Sequence, residues 1–221
     1  MKEITIEVWG DLACFSMPVS KVERLTYPFP TPSAARGILS AIYSKPTEFY
    51  WQVNSIQVLR PIKYISFKRN ELKCTVSGKG YVYADDERTQ RQTVALQDVK
   101  YRISASMIKR RSFKGTEEQL YDQALRRIRC GKAYFQPSFG LREFAAYFEE
   151  YVPSPDEDKP IAESLDAGLM VYDIFDFTKE EGAVKPKTSP RLSLFHAKME
   201  NGVITVPPYD SPEVLKGGVS C

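Results

Sequence analysis

Residues 31–46 read TPSAARGILSAIYSKP. Thr31 followed by Pro32 has the form of an N-cap with proline at the first helical position, where a missing N–H is no loss. Ala35, Ile38, Leu39 and Ile42 then recur at helical spacing, and Pro46 stops the run. The stretch therefore predicts a short amphipathic helix over 32–44. Upstream, Ile4, Ile6 and Val8 alternate with Thr5 and Glu7, the pattern of a half-buried strand over 3–9. A Pro-rich loop through Tyr27-Pro28-Phe29-Pro30 joins strand to helix. Downstream, residues 53–67, with QVLRPIKYISF at their centre, predict a strand interrupted by Pro61 at an edge or bulge.

Further along, residues 68–95 are polar and charged, with Gly78 and Gly80, and predict a mobile loop or β-arm. A second strand pattern, VALQDVKYRISASM, returns over 93–107. Thr116-Glu117-Glu118-Gln119 is a capping-box sequence. Leu120, Ala124, Leu125 and Ile128 trace one face of a helix over 117–130, with Gly131 as its stop. A turn-to-strand segment from Gly140 runs to Tyr151. The order strand, helix, strand, strand, helix, strand is the split βαβ arrangement of a ferredoxin-like (RRM-like, βαββαβ) fold. The expectation is an α+β protein: a ferredoxin-like domain over 1–152, a Pro/Asp-rich connection over 153–160, and a small antiparallel β appendage over 161–215. In the appendage, GLMVYDIFDF is one strand candidate, and LSLFHAKMENGVITVPP is a hairpin turning at Asn201-Gly202.

At 221 residues the chain can bury a sizeable core. No stretch approaches the roughly 20 apolar residues of a membrane span. MKEITIEVWG lacks the basic-then-apolar layout of a signal peptide, so a cytoplasmic location is expected. Cys14, Cys74, Cys130 and Cys221 form no CxxC pair, which fits free thiols in a reducing compartment. With His196 as the one histidine, a zinc site would need these scattered cysteines, so neither metal nor cofactor is expected. Asp85-Asp86-Glu87 and Asp156-Glu157-Asp158 read as solvated acids rather than magnesium ligands, and His196 as an ordinary turn-proximal histidine.

The net charge of +3 conceals an asymmetry, with bases clustered over 60–142 and acids over 143–181. Lys68-Arg69, Arg88, Arg91, Lys109-Arg110-Arg111, Lys114 and Arg126-Arg127-Arg129 are interleaved with Tyr81, Tyr83, Tyr101 and Phe113. Cations neutralise phosphates and exposed rings stack on unpaired bases. A solvated face explains any one of these pairs; the set together points to nucleic acid. The pattern does not separate RNA from DNA. P-loop, GxSxG and HExxH motifs are absent.

Several stretches resemble one family. They are Gly10-Asp11-Leu12-Ala13-Cys14-Phe15, Lys21-Val22-Glu23-Arg24, Thr31-Pro32-Ser33-Ala34-Ala35-Arg36-Gly37-Ile38-Leu39 and Lys68-Arg69-Asn70-Glu71. Arg88-Thr89-Gln90-Arg91, Leu96-Gln97-Asp98-Val99-Lys100-Tyr101, Gly140-Leu141-Arg142-Glu143-Phe144 and Val203-Ile204-Thr205-Val206-Pro207-Pro208 follow in order. Together they resemble the fifth CRISPR-associated (Cas) family in its subtype I-C form, within the RAMP superfamily, over about residues 3–214.

The resemblance implies a ferredoxin-like domain with a β-rich C-terminal piece. It implies a Cascade subunit that cuts the repeat hairpin of precursor CRISPR RNA, stays on the 5′ handle of the guide RNA, and caps the backbone filament. Its partners would be the guide RNA and its precursor, the filament and large subunits, and target DNA through the complex. The cut would need no metal, since the neighbouring ribose 2′-OH attacks the phosphate and leaves a cyclic phosphate.

For the site, the resemblance implies Tyr43, in Ile42-Tyr43-Ser44-Lys45-Pro46, as the catalytic tyrosine; packing at the helix end is the alternative. Some members place a Lys-His pair at the opening of the second helix, where this chain has Gln119-Leu120. Lys114 is the expected substitute, with Lys45 and Arg111 also near in sequence. The expected RNA contacts are Arg36, Lys45, Lys68, Arg69, Arg88, Arg91, Lys109, Arg110, Arg111, Arg126, Arg127 and Arg142. Three readings stand: a processing subunit, a binding and scaffolding subunit without cleavage, and a generic single-strand RNA-binding protein. The 68–95 arm and the C-terminal hairpin are expected to meet other Cascade subunits.

Overall fold

The structure is a computed structural model that describes residues 2–20, 22–72, 83, 85, 87–179 and 192–217. In chain order the elements are β1 (Glu3–Ala13), α1 (Pro32–Ile42), β2 (Phe49–Val58), β3 (Tyr64–Leu72) and β4 (Arg88–Lys109). They continue with α2 (Glu117–Arg129), β5 (Tyr147–Glu150), β6 (Leu165–Asp173), β7 (Ser193–Glu200), β8 (Val203–Thr205) and β9 (Leu215–Lys216). All the strands join one sheet in the order β5-β1-β4-β2-β8-β7-β6, with β3 also on β4 and β9 also on β7.

Both helices lie where their local signals place them. The Thr31 hydroxyl accepts from the Ala34 N–H, and the helix ends at Ile42 because Tyr43 turns extended. The helix is thus slightly shorter than the 32–44 expected. α2 opens on the complete capping box: the Thr116 hydroxyl accepts from Gln119 N–H at 3.2 Å, and Gln119 Oε1 accepts from Thr116 N–H at 3.2 Å. Ile38, Leu39 and Ile42 of α1 and Leu120, Ala124 and Ile128 of α2 share one core with Ile4, Ile6 and Val8 of β1.

The strand expected over 53–67 is two strands. Proline has no N–H for a ladder, and the chain leaves the sheet around Pro61. Before that break β2 pairs the C-terminal half of β4, from Tyr101 to Lys109. After it β3 pairs the N-terminal half, from Arg88 to Leu96. The base of the expected 68–95 arm is therefore a two-stranded ribbon. Residues 73–82, 84 and 86, including Gly78, Gly80, Tyr81 and Asp86, lie outside the described residues, as do Lys21, Cys74 and Cys221.

The C-terminal strands continue the same sheet through β2–β8 pairing, Ser55 to Thr205 and Ile56 to Ile204. Asn201 (φ 47°) and Gly202 (φ 75°) make the two-residue turn that their sequence predicts. The 151–161 connection lies across the sheet face opposite the helices. Tyr151 N–H donates to Thr5 O and Ile161 N–H donates to Val58 O. On that face the Arg102 guanidinium, under the Tyr151 ring at 3.8 Å, pairs with Glu7 at 2.8 Å. Lys100 bridges Glu7 at 2.6 Å and Asp158 at 2.7 Å. The acid run Asp156-Glu157-Asp158 is thus partly held by sheet cations. No helix among the described residues is long and apolar enough to cross a membrane.

Candidate nucleic-acid interface

Where α1 ends, β2 begins and α2 passes by, several of the predicted side chains meet. Tyr43 caps α1 and is 1% exposed, stacked on Phe49 with centroids 5.3 Å apart. Its hydroxyl donates to Gln123 Oε1 at 2.9 Å, and its carbonyl accepts from Trp51 Nε1 at 2.8 Å. Burial pushes its phenol above the ordinary value, against the opposing pull of Lys45 and Arg127. Lys45 pairs with Glu48 at 2.8 Å. Arg127 donates to Ile42 O at 3.0 Å and lies 4.3 Å from the centre of the Tyr134 ring and 6.0 Å from that of Tyr43. A neutral phenol, two cations and a second tyrosine thus share the end of α1.

Arg126, Arg127, Cys130 and Lys132 line a shallow pocket of about 260 Å³ at the C-terminal end of α2. Arg126 and Lys132 are exposed. Beside α1 runs a larger groove of about 570 Å³, lined by Ala34, Gly37, Ala41, Phe135, Gln136, Ser138, Gly140 and Arg142. Arg142 is exposed at its rim.

Other predicted contacts are engaged within the fold. Arg36 holds Asp173 of β6 through Nε at 2.9 Å and Nη2 at 2.6 Å, under the Phe177 ring. Arg110 is 4% exposed; it donates to the carbonyls of Pro46, Phe177 and Thr178 and stacks on Tyr50. Arg69 pairs with Glu143 and lies beside Phe67 and Phe144, while Arg91 reaches Glu71 at 3.5 Å. Arg129 pairs with Glu150 of β5 at 2.6 Å. Lys68 is exposed on the ribbon, and Arg88 pairs with Asp85 at 3.0 Å. Lys109 sits 5.9 Å from the Phe113 ring. Arg111 and Lys114 are exposed in the turn before α2, and no contact among the described residues joins Lys114 to Tyr43.

Gln119 and Leu120, where the resemblance implies a Lys-His pair, serve the capping box and the core. His196 lies on β7 and pairs with Asp166 at 2.7 Å, in the strands at the other end of the sheet from β5. Tyr101 is a core residue because β4 is central in the sheet, so it is not an exposed stacking ring. Among the described residues, exposed rings include the predicted Tyr83 and, at the basic recesses, Tyr134 against Arg127 and Phe135 in the groove with Arg142. The signal of Tyr134 and Phe135 in the sequence is an aromatic pair just past the Gly131 helix stop and next to Lys132.

A family model described as "CRISPR-associated protein (Cas_Cas5)" matches residues 3–207. A protein of Mannheimia succiniciproducens named "CRISPR pre-crRNA endoribonuclease Cas5d" is 38% identical, covering 96% of this chain and 98% of its own length. One of the same name from Thermus thermophilus is 36% identical, covering 98% and 96%. Among solved structures, a functionally uncharacterized protein from Streptococcus mutans superposes with a TM-score of 0.67 at 22% identity, covering 96% of each chain. A second structure, of a CRISPR-associated protein, gives the same TM-score and identity. These two likenesses establish the fold.

Proposed function

The chain belongs to the CRISPR-associated Cas5 family, and from that premise we propose that it binds and cuts precursor CRISPR RNA and keeps the repeat-derived 5′ handle in a type I-C Cascade complex. The observation that carries this reading is a pair of basic recesses beside the helices, one lined by Arg126, Arg127 and Lys132 with the exposed Tyr134 against Arg127, the other by Arg142 with the exposed Phe135. Cations beside exposed rings suit the phosphates and splayed bases of a single strand. Arg111, Lys114 and Lys68 extend the basic surface, whereas Arg36 and Arg110 act from within the fold.

In the cleavage step the ribose 2′-oxygen attacks the neighbouring phosphorus and its proton passes to a base. The P–O5′ bond breaks, the leaving 5′-oxygen takes a proton, and a 2′,3′-cyclic phosphate remains. The family resemblance makes Tyr43 the candidate base, with Lys45 and Arg127 as its neighbouring cations, but at 1% exposure and with its hydroxyl given to Gln123 it must be uncovered before the ribose can reach it. Burial holds the phenol above its ordinary value, which disfavours the ionised form a base would use. The engagement of Gln119 and Leu120 in cap and core favours the second reading, a subunit that binds without cutting. Incubating the protein with labelled repeat hairpin and EDTA separates the two: cyclic-phosphate product supports the first, and bound, intact RNA the second.

The order β5-β1-β4-β2, with α1 and α2 as crossovers, supports a ferredoxin-like arrangement over 1–152, with 161–215 as its β-rich extension. The ribbon face carrying Lys68 and Arg88 suits the other Cascade subunits and, through the complex, target DNA. So do the exposed Leu165, Leu169 and Ile174 near β6. A cytoplasmic location follows from such partners.

A further inference from the structure

Gly37 sits inside α1, where glycine is the least favourable residue after proline. Packing does not require it, since a Cβ there would meet nothing within 4 Å. It opens instead onto the groove that it lines with Ala34 and Ala41 on one wall and residues 135–142 on the other. Three small side chains leave the helix backbone open to close approach along that wall. The opposite wall is held in place: Tyr134 and Phe135 N–H groups both donate to Ala41 O, at 2.8 and 3.3 Å. Phe135 remains 78% exposed at the mouth.

A bare aromatic ring beside a flat, small-residue wall is a slot for a planar group. Arg142 supplies positive charge at the rim, and Arg126, Arg127 and Lys132 line the neighbouring pocket. Glu48 and Glu143, the acids nearest in sequence to these walls, are already paired with Lys45 and Arg69. The charge fits an anion with a planar group attached, which is a nucleotide. About 570 Å³ is within the range of ligand-sized sites. A base can enter only when unpaired, because a duplex keeps its faces stacked.

We propose that the groove between α1 and residues 134–142 holds one unpaired nucleotide of the bound RNA, its base on the Phe135 ring and its phosphate at Arg142. The proposal rests on the chain being an RNA-binding protein and names where one base is gripped.

The test is an abasic scan. Repeat RNAs lacking one base at each successive single-stranded position are bound to wild type, Phe135→Ala, Phe135→Trp and Gly37→Leu. Both altered positions face open space, so no variant should melt below wild type, and Gly37→Leu should melt somewhat above it because leucine favours a helix over glycine. In wild type, one abasic position should weaken binding about ten-fold. Phe135→Ala and Gly37→Leu should weaken binding to intact RNA by a similar factor, yet lose little more on that one abasic RNA. Phe135→Trp should bind like wild type. If Arg126→Glu weakens binding but no abasic position couples to Phe135 or Gly37, the groove is empty of base and the proposal falls alone. If wild type does not bind repeat RNA at all, the RNA-binding reading falls, and the groove with it.

Discussion

Arg126 and Arg36 carry the same guanidinium but answer differently to substitution. Arg126 is exposed beside Lys132 in the α2 pocket. Changing both to Glu should weaken repeat-RNA binding and reduce the salt slope by about one for each lost phosphate contact. Stability should fall by only about 1 kcal/mol, the cost of placing acids at the C-terminal end of α2. Arg36, by contrast, holds an Asp173 that is 1% exposed. Arg36→Ala should cost about 2–3 kcal/mol, seen as a lower urea midpoint, because a charged hydrogen-bond partner is removed from a buried carboxylate. An unchanged midpoint in Arg36→Ala would show that the pair does not brace α1 against β6. The sequence shows that both are arginines but not which is which, since their partners lie far along the chain. Arg110 and Arg111 are adjacent, yet only Arg110 finds the carbonyls of Pro46, Phe177 and Thr178. Tyr43 was visible as a candidate, whereas its hydrogen bond to Gln123, 80 residues away, was not.

At the scale of elements, what was legible was local. Caps act within three or four residues, so α1 and α2 could be placed from Thr31-Pro32 and from Thr116 to Gln119. Pro61 announced an interruption, but the change of partner from one half of β4 to the other depends on contacts made across the sheet. Gly37 gives α1 a testable weakness. Gly37→Ala should stabilise the protein by about 0.5–1 kcal/mol, read as a raised melting temperature, since the added methyl meets no neighbour. The 151–161 connection is sensitive to pH. The hydrogen bond from Lys100 leads in holding the Asp158 carboxyl below its usual value. Its contribution is therefore complete above about pH 4 and is lost as the pH falls through the lowered value. The Lys100 ammonium is raised by Asp158 and Glu7, against burial, so its contribution persists through neutral pH and fades only above about 10.5. Hydrogen-exchange protection across 151–161, relative to the intrinsic rate at each pH, should fall below about pH 4, and Asp158→Asn should flatten that dependence. The same acid profile in Asp158→Asn would assign the change to other groups.

For the molecule as a whole, the question is whether the C-terminal strands unfold with the rest. From the sequence, 161–215 could be read as an appendage because nothing local reports that β8 pairs with β2. Gly202 stands at that junction. Its carbonyl accepts from Val58 N–H and its N–H donates to Glu163 O, both at 2.8 Å, while Val58 O accepts from Ile161 N–H. At φ 75° a Cβ would be strained, and it would fall 2.5 Å from Ile161 O and 2.7 Å from Ile161 N. Gly202→Val must therefore open the seam between turn, connection and β2, at about 1–3 kcal/mol for the backbone conformation alone. Both tryptophans, Trp9 and Trp51, lie on β1 and β2, so their fluorescence reports the first part of the chain while far-UV circular dichroism reports all of it. Cooperative unfolding through one continuous sheet makes the two probes coincide. In Gly202→Val both urea midpoints should then fall together, although the substitution lies about 150 residues from Trp51. A fall seen by dichroism with fluorescence unmoved would mean that β6–β9 unfold by themselves, and that the β2–β8 pairing does not couple the two halves.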